Sequence, residues 1–409
     1  MSLSSHRLKR LAAIRVSNVD KKTRDGEVPV RLVNYTDVYY RDRLTPDIDL
    51  MSATASEQQV SAFRLCPGDV LITKDSENPD DIGVPAYVDV TAEGMVCGYH
   101  LAILRPLADA VDGRYLYWSM VSSSARKQLS AGATGVTRYG LRLDVIGSVE
   151  LSAPSLREQL AIADFLDTET ARIDALIASK VRIAELLETR YQVWLRSRIR
   201  QLSVADLPLK RRWRVVDCKH RTPTYVSDGG YPVISPGDIE PGRLELTRAH
   251  RFVNEADYLD LTDGGRRPKR GDIIYSRNAS IGIAAYADTD RPFCMGQDVC
   301  LITSDDEDQL YLSYVLNSVG VDQLQIEKLG TTLSRINVAQ ILELRVPAPE
   351  PSEQRELSAA FDRERQRVDH LAAKLTRQID LLTERRHSLI TTAVTGELDL
   401  AERISEEAS

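Results

Sequence analysis

An aspartate and a lysine separated by one residue are the first candidates for catalytic chemistry in this chain. Asp217-Cys218-Lys219 resembles the acid-x-Lys pattern of metal-dependent nucleases, and Asp206 lies eleven residues upstream. A nuclease needs clustered carboxylates that hold a divalent cation beside the scissile phosphate. Acid-x-Lys triplets also arise by chance in any charged chain, so this spacing does not predict a nuclease.

Patterns of other enzyme classes are absent from the sequence. It has no G-x-x-x-x-G-K-[ST] loop for phosphates, no glycine-rich cofactor turn after a strand, and no Asn-Pro-Pro-aromatic run. The six histidines lack metal-ligand spacing, and we expect His100 to be a core or cross-strand histidine. The five cysteines contain no C-x-x-C pair, which favours reduced, mostly buried thiols. We therefore predict no catalytic site, no metal site and no cofactor.

Loops that combine arginine or lysine with planar or hydrogen-bonding side chains are more informative. Arginine and lysine bond guanine edges in the major groove of DNA, and asparagine bonds adenine. A single arginine is more often only a solubilising surface residue. These loops recur at matching places of both halves of the chain, which favours base reading for the group. The predicted DNA-binding residues are Tyr35, Lys74, Arg138, Tyr139, Arg142, Lys219, His220, Arg221, Thr222, Arg277, Asn278, Arg335 and Asn337.

A basic segment occupies residues 196–221, where nine lysines and arginines stand against Asp206 and Asp217 alone. Such a stretch suits contact with nucleic-acid phosphates, whose strength comes from counterion release. It equally suits a solvated connector whose charges favour the C-terminal end of a helix dipole. The sequence leaves both interpretations open.

Length and composition predict a soluble protein with two or more domains. The 409 residues exceed one ordinary core, and 43% hydrophobic with 28% charged residues is a globular composition. A net charge of −7 excludes a uniformly basic protein but not a local basic face. No apolar run approaches a membrane span, and the first residues lack a signal-peptide pattern, so we expect a cytoplasmic protein.

The chain contains an internal repeat, and a repeat dictates architecture. A shift of 195 residues aligns Glu158-Gln159 with Glu353-Gln354. Upstream, with small changes of offset, "PGDVLITK" at 67 aligns with "RGDIIYSR" at 270, and "IGVPAY" at 82 with "IGIAAY" at 281. We therefore predict two homologous halves, each consisting of a globular unit and a long helix.

Each half ends in a segment with heptad spacing. Steps of four and three residues keep one register under the same shift, as expected for two helices that pack along their length. Lys180 and Arg386 interrupt the stripes, so the packing there is imperfect or a third surface meets it. The stripes are Leu166, Thr170, Ile173, Ile177, Lys180, Ala184, Leu187, Tyr191 and Trp194, and Phe361, Arg365, Val368, Ala372, Leu375, Ile379, Leu382, Arg386, Leu389 and Ala393.

Capping residues mark the ends of these helices. Ser155 with Glu158 forms a predicted capping box, Ser352 is the predicted N-cap of the second helix, and Gly396 suits a left-handed C-terminal cap. Forty-odd helical residues would extend roughly 60 Å at 1.5 Å per residue. The segments thus have the length of a spacer.

The globular portions contain short β-rich runs punctuated by Gly, Pro and Asp, together with helical pieces. The predicted fold class is α+β, with two repeated α/β domains that are each followed by a long helix. We place the domains at 1–152 and 205–347, the helices at 153–204 and 348–396, and an acidic tail at 397–409.

These features together resemble the specificity subunit of type I restriction-modification systems, over nearly the whole chain. The resemblance rests on the two similar units, the helix entries "APSLREQ" and "APEPSEQ", and the ending "TTAVTGELDL". "HRTPTY" and "GDIIYSR" support it in the second half, whereas "HRTP" has no clear counterpart in the first half.

The resemblance implies a non-catalytic DNA-binding subunit of an antiviral defence system. In the family, each globular unit is a target recognition domain for one half of a split, asymmetric sequence of double-stranded DNA. The two helices pair as an antiparallel coiled coil that sets the unread spacer and docks two adenine methyltransferase subunits. Two motor and endonuclease subunits can then join. We predict subunit contacts at Lys180, Trp194 and Arg386.

Two alternatives remain open at the level of sequence. The chain could be an adaptor that dimerises through its heptad stripes and has no role with nucleic acid. It could also recognise DNA for a different defence or modification enzyme. Salt-dependent binding to duplex DNA separates the adaptor from the other two functions.

Overall fold

The structure is a computed structural model that describes residues 5–227, 229–328 and 335–398. It divides into two compact units, Met1–Lys180 with Arg377–Ser409, and Val181–Thr376. Most of the acidic tail, from residue 399 onward, lies outside the described residues. Within the described ranges, no helix has the length and apolar character that crossing a membrane requires.

Among its described residues, the first unit contains twelve strands, five short α-helices, the beginning of one long helix and the end of another. Its strands are β1 (Ser5–Arg7), β2 (Ala12–Val16), β3 (Val28–Val33), β4 (Arg43–Leu44), β5 (Met51–Ala55), β6 (Val70–Thr73), β7 (Asp75–Ser76), β8 (Pro85–Val88), β9 (Met95–Cys97), β10 (Leu101–Pro106), β11 (Tyr139–Gly140) and β12 (Glu150–Ser152). Its helices are α1 (Tyr35–Tyr39), α2 (Glu57–Phe63), α3 (Gly113–Val121), α4 (Ser123–Gly132), α5 (Leu143–Ser148) and the start of α6 (Leu156–Arg200).

The second unit follows the same plan. Its strands are β13 (Asp206–Pro208), β14 (Arg214–Asp217), β15 (Tyr225–Val226), β16 (Tyr231–Ile234), β17 (Gly242–Arg243), β18 (Phe252–Val253), β19 (Ile273–Ser276), β20 (Ala284–Tyr286), β21 (Cys294–Met295), β22 (Val299–Thr303) and β23 (Arg345–Pro347). Its helices are α7 (Glu255–Thr262), α8 (Gln309–Val315), α9 (Val321–Lys328), α10 (Val338–Glu343) and the first part of α11 (Pro351–Thr395).

Each unit is built on a five-stranded sheet of the same topology. The strand order is β2-β10-β6-β8-β4 in the first unit and β14-β22-β19-β20-β17 in the second. Both sheets are antiparallel except at one edge, where β4 pairs in parallel with β8 and β17 with β20. The aligned runs "VLIT" and "IIYS" are the central strands β6 and β19. The α+β fold with two repeated domains is therefore confirmed.

The central strands β6 and β19 are buried throughout and largely apolar because both faces of each sheet are covered. Successive side chains of a strand point to opposite faces. Val70 and Ile72 join the core that includes the long helices, whereas Leu71 joins a second core on the other face. Ile273 and Ile274 divide between two cores in the same way. A strand buried on both faces is a nearly continuous apolar run rather than an alternating one.

The predicted heptad stripes form the inner faces of the two long helices. Every stripe residue is buried or half-buried, whereas neighbouring positions are mostly exposed. The two ends of the stripes are the best buried. Leu166 joins Ile390 in the core of the first unit, and Tyr191 joins Phe361 in the core of the second.

Helix pairing is antiparallel within each unit. In the first unit, Asp174 contacts Arg386 at 2.9 Å, and Lys180, later in α6, bonds Gln378, which is earlier in α11. In the second unit, Glu188 pairs with Arg365 at 2.7 Å, and the ring of Trp194 meets that of Phe361. The predicted antiparallel pairing is confirmed.

Three capping predictions have different outcomes. The Ser155 and Glu158 capping box is present, with the Ser155 N–H 2.9 Å from the Glu158 carboxylate, and these bonds lower the pKa of Glu158. Gly396 has a φ of 76° and ends α11 as predicted. The N-cap prediction for Ser352 is wrong, because α11 begins one residue earlier at Pro351, whose fixed φ suits the first helical position.

The repeated glutamine of each helix entry joins the helix to its domain. Gln159 is fully buried; its Oε1 accepts the Asp112 N–H at 2.8 Å, and its Nε2 donates to two backbone carbonyls. Gln354 is also fully buried and accepts the Asp308 N–H at 3.0 Å. Each amide therefore fixes the backbone at the start of α3 or α8.

We expect Gln159→Ala to lower the free energy of unfolding by about 1–3 kcal/mol, because the buried Asp112 N–H and two carbonyls would lose their partner. Urea unfolding of the purified chain measures this change. The matched control is Arg157→Ala, an exposed position on the same helical turn. Equal effects of the two substitutions would contradict the role of the amide.

Candidate nucleic-acid interface

Predicted DNA-binding residues of the first unit meet where β6 leaves the sheet. Lys74 directly follows β6, and its carbonyl accepts the Leu141 N–H at 2.7 Å. The short strand β11, which holds Tyr139, pairs with β7. A loop more than sixty residues later in the chain therefore lies beside Lys74.

Charged side chains surround this junction. Arg138 Nη2 donates to the Asp75 carboxylate at 2.7 Å, and His100 Nδ1 lies 2.8 Å from the same carboxylate. The Arg138 side chain is 59% exposed, so it can exchange this partner for another. His100 is mostly buried and lies opposite Lys74 across the β6–β10 pair, as expected for a cross-strand histidine, and its ring belongs to this cluster.

A row of aromatic rings continues from the cluster to the surface. In sequence along the row, the ring centroids of Tyr40, Tyr39, Tyr35, His100 and Tyr99 are separated by 4.9, 5.4, 6.5 and 3.6 Å. Burial raises the pKa of Tyr35, and a hydrogen bond to Asp81 raises the pKa of Tyr39 to about 12. Tyr40 is 76% exposed. Nucleic-acid bases stack on exposed rings of this kind.

The second unit has an equivalent junction. The Ile336 N–H donates to the Arg277 carbonyl at 2.9 Å, as the Leu141 N–H does to the Lys74 carbonyl. The backbones of Asn278 and Arg335 form an isolated antiparallel β-bridge. Arg335 Nη2 lies 2.9 Å from the Asp298 carboxylate, and Asn278 Nδ2 donates to the same group at 3.2 Å. The structure thus brings three predicted residues together.

Backbone strain marks this junction. Among the described residues, Ala279 and Asp298 are the non-glycine positions in the left-handed region, with φ values of 55° and 65°. Such conformations cost free energy and cluster at functional sites. Both residues adjoin the Asn278 contacts, so the strained segment coincides with the predicted interface.

Arg277 lies inside the second unit. It is 4% exposed, and its guanidinium donates to the Asp217 carboxylate and to the Ile336 carbonyl at 3.1 Å. The other Asp217 oxygen lies 3.1 Å from His220 Nε2. Arg277 as a base reader stays a prediction, and its contacts in this structure hold β14, β19 and the following loop together.

Asp217, Cys218 and His220 could hold a metal ion, since one ligand atom of each lies within 4.8 Å of the others. The surroundings oppose this use. Arg277 already neutralises Asp217, and burial raises the pKa of the Cys218 thiol, whereas a metal binds the thiolate. We therefore interpret the group as part of an ion-pair network.

The loop after β14 carries the next predicted residues. Lys219 and Arg221 both bond Asp260, and these hydrogen bonds lower the pKa of that carboxyl. Arg221 also donates to Asp257 at 2.8 Å. Thr222 accepts a hydrogen bond from Gln297 at 2.9 Å. Carboxylates therefore hold both cations of this loop in the unbound chain.

The same pairing extends along residues 196–221. Seven of its nine cations form ion pairs within the second unit, namely Arg196, Arg200, Lys210, Arg212, Arg214, Lys219 and Arg221. A phosphate contact would therefore have to displace a carboxylate at most positions. This arrangement favours the interpretation of residues 196–221 as a structural connector over their interpretation as a phosphate-binding surface.

Arg142 and Asn337 occupy matching N-cap positions, before α5 and α10. Arg142 pairs with Asp144 at 3.1 Å and is largely exposed. Asn337 accepts the Gln340 N–H at 2.9 Å. Arg142 therefore extends toward solvent, whereas the Asn337 amide is used to start a helix.

The residues predicted for subunit contact lie on the inner stripe. Lys180 Nζ donates to Gln378 at 2.7 Å, and the half-buried Trp194 meets Phe361. Arg386 pairs with Asp42 as well as with Asp174. These side chains have partners within the chain, and their contact with other subunits stays a prediction.

Sequence reasoning missed apolar side chains on the outer side of α6. Ile183, Leu186 and Val193 are exposed, and Val193 reaches 61%. The signal was present in the sequence, because these residues fall outside the heptad stripe of their helix. Exposed apolar residues grouped on one element mark interaction sites.

Comparisons with known proteins agree with the resemblance. Residues 219–379 match the family model described as the type I restriction modification DNA specificity domain. A search of curated protein sequences finds no match. The chain is similar to one in a structure of complex assembly and conformational transition of the type I R-M system, with 17% identity, 97% and 98% of the two chains covered, and a TM-score of 0.72.

It is also similar to the HsdS subunit from Thermoanaerobacter tengcongensis, with 18% identity, 97% of each chain covered, and a TM-score of 0.54. At such identities, the two structures establish the fold. The family model covers most of the second globular domain and part of α11. The resemblance is thus confirmed: the chain has the fold of type I specificity subunits, and its residues 219–379 match the model of their DNA specificity domain.

Proposed function

We propose that this chain is the non-catalytic sequence-specificity subunit of a type I restriction-modification complex. It binds a bipartite, asymmetric site in double-stranded DNA, with one half-site for each recognition domain. The domains are residues 1–152 and 205–347, and α6 and α11 form the spacer between the half-sites. The helices dock two adenine methyltransferase subunits, which motor and endonuclease subunits join.

One observation carries this proposal: each unit has a loop junction at the equivalent place of its own five-stranded sheet, and the side chains at the two junctions differ. Lys74 stands where the second unit has Arg277, and Gly140 stands where it has Arg335. A repeated scaffold with unlike loops is suited to reading two different base sequences. In the first unit, the exposed rings of the aromatic row offer apolar surface to thymine methyl groups in the major groove.

Carboxylates beside the candidate cations give the interface a defined unbound state. Asp75 holds Arg138, and Asp298 holds Arg335. DNA binding exchanges these partners for base edges or phosphates, which suppresses non-specific attachment because each exchange gives up an ion pair. Both arginine side chains are exposed enough for the exchange.

Duplex binding by the chain with its methyltransferase partner tests this proposal. We expect Arg138→Ala to weaken binding to the recognised site by about 1–3 kcal/mol, the usual cost of losing a base contact. Affinity should also fall as salt rises, because counterions are released. Fluorescence anisotropy across a salt series measures both effects.

The matched control is Arg172→Ala on α6, which removes a similarly exposed arginine from an ion pair with Glu169. Its affinity should equal that of the unmodified chain. No salt-dependent affinity for duplex DNA, with or without the partner, would contradict the proposal and favour the adaptor.

The outer apolar side chains of α6 are the proposed docking surface for methyltransferase. We expect Ile183→Asp with Val193→Asp to weaken the complex at least about tenfold, since burying each such side chain contributes roughly 1.5–3 kcal/mol. Ala178→Asp with Thr189→Asp is the control, because it adds the same two negative charges at other exposed positions of α6. Analytical ultracentrifugation measures the association, and equal effects in the two variants would exclude this surface.

A further inference from the structure

Each recognition domain is joined to a long helix by the same set of side chains. In the first unit, Asp167 of α6 accepts Arg43 Nη2 at 2.9 Å and Trp118 Nε1 at 2.9 Å. Arg43 lies on the edge strand β4, and Trp118 lies on α3. The Asp167 carboxylate therefore holds the sheet edge and the covering helix together, and Arg114 of α3 adds ion pairs to Asp167 and Asp164 of α6.

The second unit repeats this arrangement on the other long helix. Asp362 of α11 accepts Arg243 Nη2 at 3.1 Å and the Tyr314 hydroxyl at 2.9 Å. Arg243 lies on the edge strand β17, and Tyr314 lies on α8. The donors differ in type at one position, tryptophan against tyrosine, but their geometry is the same.

An aromatic ring and a second carboxylate support each arginine. The guanidinium carbon of Arg43 is 5.5 Å from the Tyr87 ring centroid, and that of Arg243 is 5.8 Å from that of Tyr286. Each arginine also pairs with an aspartate two residues after its tyrosine. The helix joint, as we name this set, comprises Arg43, Tyr87, Asp89, Trp118 and Asp167, and Arg243, Tyr286, Asp288, Tyr314 and Asp362.

The helix joint differs from the hydrophobic cores because its arginine side chains are partly exposed to solvent. Arg43 and Arg243 are 39% and 42% exposed, so their ion pairs contribute little to folding stability. A guanidinium that bonds a carboxylate and stacks on a ring is nevertheless restricted in direction. The joint is thus better suited to fixing the angle of the domain on its helix than to stabilising the domain.

We propose that the helix joint sets how strictly the protein discriminates between half-site separations. This inference rests on the proposed function, since it requires a bipartite DNA site. A domain held at one angle on its helix reads its half-site at one separation, and a domain that rocks tolerates neighbouring separations. Arg43 and Arg243 act as positioning residues and touch no base.

The test uses the full chain with its methyltransferase partner. Duplex probes carry both half-sites of the methylated motif at the native spacer or with one base pair added or removed. The measured quantity is the ratio of the affinity for the native-spacer probe to the affinity for the altered-spacer probes. In the Arg43→Ala, Arg243→Ala double variant, we expect this ratio to fall about tenfold, equivalent to about 1.4 kcal/mol. The base preference within each half-site should not change.

Arg24→Ala with Arg248→Ala is the control double variant. Both arginines are exposed to a similar degree and pair with acids of their own domain, Asp20 and Glu240. Among the described residues, neither side chain forms an ion pair with a long helix. The spacer preference of this control should match that of the unmodified chain.

Each other outcome has a distinct meaning. An unmodified chain without any preference between spacers would overturn the proposed function, and the helix joint with it. If the alanine double variant keeps the native preference between spacers, the proposed role of the helix joint would be overturned and the proposed function would stand. If that variant binds no probe, the Arg43→Lys, Arg243→Lys variant keeps the charge but loses the fork geometry, and an unchanged preference there would overturn the inference.

Discussion

Replacing residues 1–152 by the matching domain of another specificity subunit is expected to change one half-site and leave the other intact. Two cores lie wholly within the first recognition domain, and its candidate contacts with DNA lie within the first unit. Its third core also includes residues of the long helices, so the donor domain must keep apolar side chains on that face. Affinity for the original bipartite site should fall at least about a hundredfold, because one half-site is lost and each mismatched base pair costs roughly 1–3 kcal/mol. Sequencing of methylated sites in cells that express the chimera reads both half-sites directly.

The reciprocal exchange of residues 205–347 is the control, and it should change the other half-site alone. The chimeric joins fall next to β12 and β23, which precede the long helices, so the glutamine contacts must be kept in both designs. A change in both half-sites from either exchange would show that the domains do not read DNA independently.

Lengthening both long helices by one heptad is expected to lengthen the unread spacer while preserving both half-sites. Seven residues placed after Lys180 in α6 and after Thr376 in α11 keep the stripes in register. The insertion adds roughly 10 Å at 1.5 Å per residue. At 3.4 Å per base pair this is at most about three base pairs, so we expect a spacer longer by about one to three.

Insertion into α6 alone is the control for this design. It shifts one stripe against the other, so buried pairs such as Trp194 with Phe361 could not form together with those at the other end of the helix. That variant should be destabilised rather than altered in specificity. An unchanged spacer in the double insertion, or altered bases in either half-site, would contradict the role of the helices.

The long helices were predictable because their signal is local and periodic. Phe361 and Val368 lie one heptad apart, and both are buried where the stripe places them. The repeat made the prediction stronger, since Leu166 and Phe361 occupy equivalent positions in the two halves. Strands such as β6 and β19 were predicted from their β-rich runs, whereas the five-stranded sheets and their strand order required the structure.

Contacts between distant parts of the chain were not predictable. Nothing in "APSLREQ" shows that Gln159 accepts a hydrogen bond from Asp112, forty-seven residues earlier. Arg277 resembles any other arginine of a polar loop, yet Asp217 of another strand holds it inside the second unit. A buried ion pair depends on tertiary packing, and a single sequence gives no signal of it.

The aromatic row is an intermediate case. Tyr35 and Tyr39 are four residues apart on one short helix, so their stacking could have been expected from helix geometry. The contacts with His100 and Tyr99 depend on the placement of a loop that follows β9. Only part of the candidate interface was therefore accessible from sequence.

Sequencing the methylated positions of host DNA, with and without this gene, tests the account most directly. We predict a set of methylated adenines that disappears with the gene and follows one motif of two unlike half-sites around a fixed unread spacer. An identical pattern of methylation in the two strains, or a gene-dependent motif that is continuous or symmetric, would contradict the account.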